Sequence, residues 1–135
     1  MKRLLVAVSL VTVLASCQVN IVEPRYDERD KAVGYYNMEE FSETFNDYTH
    51  YTLMITKYGS GGNVLYLDNF YGAELQVHAY LDDNKITIPF QVVDDYEIEG
   101  VGTMHGMDIS LNYTVRDVYN NTRTNFCETW GDRKE

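Results

Sequence analysis

The groups in this sequence that could do chemistry are three histidines, two cysteines and a surplus of carboxylates. His50, His78 and His105 are too far apart for the paired spacing of a zinc-binding helix, and none adjoins a cysteine pair. They read as solvated or rim residues, with His78 on the polar side of its segment. Glu97 and Glu99 share one side of an extended segment, and glycosidases work with two such acids. Among 21 acidic residues a pair like this arises by chance. Asp82-Asp83-Asn84 and Asp94-Asp95 lack the ligand number of a calcium loop and suit tight turns. Gly100, Gly102 and Gly106 would cradle a dinucleotide only between a parallel strand and a helix. Here the glycines run into another extended segment, which predicts a bend or bulge at a sheet corner. Gly59-Ser60-Gly61-Gly62 lacks the spacing of a nucleophile elbow and reads as a hairpin loop. No acid, base, nucleophile or metal set converges, so the expectation is a non-catalytic protein with no cofactor and no metal site.

These residues must be positioned by strands, because the regular pattern in the chain has period two. Leu75, Val77, Ala79 and Leu81 alternate with polar neighbours, as do Ile86, Ile88 and Phe90, and then Ile109, Leu111, Tyr113 and Val115. Polar turns separate them. Eight strands are predicted at 33–42, 49–57, 63–70, 73–81, 85–93, 96–104, 107–117 and 122–130. Spacing near ten residues with short turns favours an antiparallel meander, and eight such strands close into a small barrel. A two-sheet β-sandwich is the alternative. Pro89 has no N–H to donate and must sit at an edge, a seam or a bulge. Met38, Phe41, Phe45 and Tyr48 fall at helical intervals, with Asn37 as a cap and Glu39 and Glu40 in a first turn. Val33-Gly34-Tyr35-Tyr36 just before them favours strand then loop. The predicted inward set is Leu53, Ile55, Leu75, Val77, Leu81, Ile86, Ile88, Phe90, Ile98, Ile109, Leu111 and Val115. These side chains are large enough to fill the interior.

The first residues carry a separate signal. Lys2 and Arg3 precede an uncharged run from Leu4 to Leu14, too short to span a bilayer and right for the core of a signal peptide. The run ends in Leu14-Ala15-Ser16-Cys17, which resembles the lipobox of bacterial lipoproteins. That resemblance implies a thioether-linked diacylglycerol on Cys17, cleavage before it and acylation of the new amino terminus. Two or three acyl chains anchor stably where one is marginal. An ordinary secretory signal is the alternative. Gln18, rather than Asp, after the cysteine favours the outer membrane by analogy, with the periplasmic and surface faces both open. The expected organisation is a signal peptide over 1–16, a lipidated tether over 17–32, one β domain over 33–131 and a polar tail over 132–135. With Cys17 acylated, Cys127 has no partner within the chain and reads as a buried small hydrophobe.

Composition bounds the rest. Hydrophobic residues at 44% and charged residues at 24% make an ordinary globular chain and exclude disorder. A formal charge of −10 offers no positive field for nucleic acid. Twelve tyrosines are a heavy load, explained either as strand residues or as contacts for a glycan or protein partner.

Several stretches together resemble small lipoproteins of Bacteroidetes: the lipobox, Tyr26-Asp27 through Lys31, Val33-Gly34-Tyr35-Tyr36, Asp68-Asn69-Phe70-Tyr71-Gly72, Asn84-Lys85-Ile86-Thr87-Ile88-Pro89 and Gly100-Val101-Gly102. The resemblance spans most of the mature chain and implies an extracytoplasmic, lipid-anchored β domain. Gly34-Tyr35-Tyr36 is also similar to the Gly-x-Trp start of lipocalin-like barrels, with Tyr in place of Trp, which implies carriage of a small apolar ligand. Ser60-Gly61-Gly62-Asn63-Val64-Leu65-Tyr66 approaches the Ser-Gly-x-x-Tyr loop of lipoprotein lysozyme inhibitors. The expected function is a lipid-anchored binding or structural module of the cell envelope, with a ligand carrier and an enzyme inhibitor as alternatives.

Overall fold

A computed structural model describes residues 26–120 and 123–134. Cys17 and the expected signal peptide lie outside the described residues, as do Asn121 of the last predicted turn and Thr122, the first residue of the last predicted strand. The described chain is all-β: a 3-10 turn over Glu28–Lys31, then β1 (Gly34–Ser42), β2 (Asp47–Lys57), β3 (Val64–Phe70), β4 (Leu75–Asp82), β5 (Lys85–Val93), β6 (Tyr96–His105), β7 (Asp108–Asp117) and β8 (Asn125–Arg133). Each strand pairs antiparallel with the next, and β8 returns to β1, so the meander closes into a barrel. Closure gives every strand a neighbour on both sides.

Local chemistry sets the corners. Asp94 and Asp95 both take positive φ, 46° and 67°, which fits a two-residue turn between right-twisting strands. Met38, which the helical spacing would place in a helix, lies inside β1, and the chain turns at 43–46 before β2. The inward positions are filled. Leu53, Ile55, Leu65, Leu67, Val77, Ala79, Ile86, Ile98 and Leu111 are fully buried, with Tyr36, Met38, Phe70 and Tyr113 between them.

Four expectations are corrected. Phe90 was placed inward, yet it is 60% exposed. The ladder between β5 and β6 slips between Ile88 and Gln91, and this bulge at Pro89 inverts the alternation, turning Phe90 and Val92 out and Gln91 and Val93 in. The glycines of β6 make no bulge of their own, since β6 pairs with β7 without interruption. Gly100 instead permits close approach: a Cβ there would lie 2.5 Å from the Tyr113 Cβ. The tether expected through residue 32 is folded from Asp27 onward, with Arg29 buried against the barrel. The expected polar tail is also partly strand, because β8 continues to Arg133.

The seam between β4 and β5 is the thinnest. The strands pair at Tyr80–Thr87, Leu81–Ile86 and Asp82–Lys85, then part where Pro89 has no donor. Beyond that point the Gln91 side chain takes the place of a strand. Its Oε1 accepts from the His78 N–H at 3.0 Å, and its Nε2 donates to the His78 carbonyl at 2.9 Å.

Candidate functional site

The meander gives the barrel two chemically different ends. At one end lie the starts of the odd-numbered strands and the ends of the even-numbered ones, and the 3-10 turn covers it. Asp27 caps that turn, accepting from the Arg29 N–H at 3.0 Å. Arg29 is 1% exposed. Its Nη1 donates to the carbonyls of Tyr58 at 2.6 Å and Val64 at 3.0 Å, and its Nη2 to the Gly59 carbonyl at 3.3 Å. Its Nη2 also meets the Asp27 carboxylate at 2.8 Å. The guanidinium holds the Asp27 carboxyl well below the usual carboxylate range. Beside it, Tyr36 Oη donates to the Ala32 carbonyl at 2.8 Å, and the Arg133 guanidinium sits 5.4 Å over the Tyr36 ring. Arg133 also donates to Tyr36 Oη and to the Lys31 carbonyl. Arg29 meets an acceptor at each nitrogen of its guanidinium, whereas the buried Arg133 Nε has none, and this end is a floor.

The other end is the mouth, and its interior is polar. β1 sends in Glu40 and Ser42, β8 sends in Asn125, Cys127 and Thr129, β2 sends in Tyr51, and β7 sends in Tyr113. Tyr71 and Tyr96 pack over them. Tyr51 Oη donates to Glu40 Oε1 at 3.3 Å and lies 3.1 Å from Tyr113 Oη. Asn125 Nδ2 donates to Tyr71 Oη at 2.5 Å, while Ser42 Oγ donates to Asn125 Oδ1. Tyr71 holds a left-handed backbone at φ 63°, which a bulky residue adopts only under constraint. Thr129, opposite Glu40 in the β1–β8 register, brings its hydroxyl near the carboxyl without a well-formed hydrogen bond. Glu40 is 4% exposed and makes no ion pair among the described residues. Burial pushes its carboxyl up from 4.5 to about 7. Burial, with Glu40 nearby, also pushes the Cys127 thiol up, so the thiolate is disfavoured.

A third feature lies outside. On the wall of β8, β1 and β2, the register sets Trp130 and His50 on either side of Glu39, and Asp132 and Thr52 on either side of Asn37. These six line an open groove of about 480 Å³. Trp130 is half exposed, and Lys134 touches the far edge by donating to Thr52 Oγ1 at 3.1 Å.

The residues singled out from the sequence are dispersed. His50 lies in this groove, His78 is tied to Gln91 through its backbone, and His105 faces Ser110 at 3.4 Å. Glu97 pairs with Arg116 at 2.6 Å across β6 and β7, while Glu99 stays exposed. Cys127 is buried, as read. Glu40 and Arg29 were missed. Period two through β1 puts Glu40 on the face of Tyr36 and Met38, and that parity was the available signal. Arg29 had only its neighbour Asp27 to mark it.

The fold and these features define a closed eight-stranded antiparallel barrel with a stapled floor, a tyrosine-ringed mouth and an acidic aromatic wall. No protein-family model matches the chain, and no curated protein matches it.

Proposed function

We propose that this chain is a lipid-anchored module of the bacterial outer membrane that binds a cationic protein surface through its outer wall and catalyses nothing. The observation that carries the reading is the groove around Trp130. An exposed indole beside Glu39 and Asp132 offers a guanidinium or ammonium both a ring face and carboxylates. The interior supports the same reading, since its positions are taken by the protein's own side chains. Anchoring rests on Leu14 to Cys17. It fits a described chain whose first element, the 3-10 turn, packs on the floor, opposite the mouth.

Trp130 is the single tryptophan of the chain, so its emission reports on this groove alone. An arginine-rich peptide should shift that emission saturably, and Glu39→Gln with Asp132→Asn should abolish the shift. A response to neutral oligosaccharides and not to the peptide would replace the cationic partner with a glycan. In cells, a fatty-acid label should tag the wild type and not Cys17→Ala; equal labelling would overturn the anchor.

A second reading, carriage of a small apolar ligand, is favoured by one observation. The barrel has a sealed floor built around Tyr36, the position similar to the lipocalin-like tryptophan, and an opposite end ringed with tyrosine. Saturable uptake of an apolar dye by the full chain would promote it.

A further inference from the structure

We propose that Glu40 is a proton-operated latch on the mouth of the barrel: neutral, it holds the tyrosine ring closed, and ionised, it releases that ring. The inference concerns the interior and stands apart from the wall reading.

The argument begins with what faces the carboxyl. From β2 come Tyr51 and, nearer the turn, Asp47, whose charge opposes ionisation of Glu40. β7 supplies Tyr113, and β8 supplies Thr129, Cys127 and Asn125. The β3–β4 turn and β6 add Tyr71 and Tyr96. Arg123, exposed and stacked on the Phe45 ring at 5.5 Å, belongs to the rim. The facing groups are thus neutral or acidic. A neutral carboxyl suits them, because it accepts from Tyr51 and brings no charge into an apolar barrel. An ionised one is a buried charge with a single long hydrogen bond at 3.3 Å, and desolvation is not repaid by one such contact.

Loss of the Glu40 proton to water therefore favours a state in which the carboxylate reaches solvent. The route is short, since Ser42 ends β1 and the chain turns at once. Moving Glu40 breaks the Tyr51–Tyr113 contact behind it. It also disturbs Ser42, whose bond to Asn125 positions Tyr71. Tyr71 is held in a strained backbone conformation, so releasing it relieves strain. Burial places the transition near neutral pH.

Cys127 reports the opening, because it is buried at the same level of the barrel, opposite Ser42. The full chain is treated with an uncharged disulfide reagent. Modification is read at Cys127 by mass spectrometry of the tryptic peptide running from Thr124 to Arg133. Dividing by the rate for the unfolded chain at the same pH removes the thiol's own ionisation. If the latch operates, protection falls about thirty-fold between about pH 5.5 and 8.5 and levels off above about 7. Glu40→Gln should hold protection constant across that range. Constant protection in the wild type, or the same fall in Glu40→Gln, overturns the proposal. Should Glu40→Gln fail to fold, Tyr51→Phe decides. It removes the hydrogen bond that favours the ionised form, so levelling-off must move to higher pH, and an unmoved profile overturns the latch.

Discussion

At the floor of the barrel a buried guanidinium meets three backbone carbonyls and a carboxylate, whereas at the mouth a buried carboxyl meets one tyrosine hydroxyl and no cation among the described residues. Both groups are charged in water, and the fold takes both out of it. The difference lies in compensation. Arg29 is fully paired, so its burial fixes the 3-10 turn and the β2–β3 loop in one arrangement. Glu40 is underpaired, so its burial makes the mouth conditional on protonation. A buried ion with its partners in place is architecture, and one without them is a point where the structure responds to its surroundings.

The sharpest way to break this comparison is to remove the compensated charge. Arg29→Ala leaves the carbonyls of Tyr58, Gly59 and Val64 without their donor and Asp27 without its cation. We expect a loss of about 3–5 kcal/mol in urea unfolding. Amide exchange should quicken first in the β2–β3 loop and the 3-10 turn. A loss under about 1 kcal/mol would mean that the floor is held by apolar packing alone, and the contrast between the ends would disappear.

The second test acts on the mouth through pH. The unfolded chain ionises Glu40 near 4.5, while the folded chain holds the proton to about 7. Below 4.5 both states carry the proton and the fold has its full stability. As pH rises from 4.5 to 7 the unfolded state alone gives up the proton, so stability falls. Above 7 both states are ionised and the loss is constant at about 3 kcal/mol. Asp27 at the floor is shifted in the opposite direction, and its stabilisation is lost only in strong acid. Glu40→Gln should therefore raise stability at pH 8 by about 1–3 kcal/mol and flatten the fall between 4.5 and 7. An unchanged pH profile in that variant would remove Glu40 from the account of the mouth.

How far the sequence foretold these ends follows from what a local pattern can carry. Alternation along each strand fixes which face is apolar, and eight alternating segments with short turns close in one simple way. Leu53, Ile55, Ile98 and Leu111 consequently point where period two puts them. Phe90 does not, because a bulge depends on how β5 meets β6, and one inserted residue inverts every side chain after it. Arg29 was read as part of a polar tether because its acceptors, the Tyr58 and Val64 carbonyls, lie about thirty residues along the chain and belong to the backbone. Glu40 was legible in parity and obscured by composition, since one acid among 21 draws no notice until a barrel closes around it.

The finest distinction concerns the β4–β5 seam, which is laddered towards the floor and bridged by Gln91 on the mouth side. Gln91→Ala removes the amide that satisfies both the N–H and the carbonyl of His78. Leaving two partly buried backbone groups unpaired should lower stability by about 1–3 kcal/mol. The location of the effect matters more than its size. If the mouth is the conditional end, amide exchange at His78 should accelerate, while Tyr80 and Asp82, registered with Thr87 and Lys85 on the same side of β4, keep their protection. Equal loosening along the whole seam would show that the barrel opens as one cooperative unit. Floor and mouth would then differ in chemistry but not in stability.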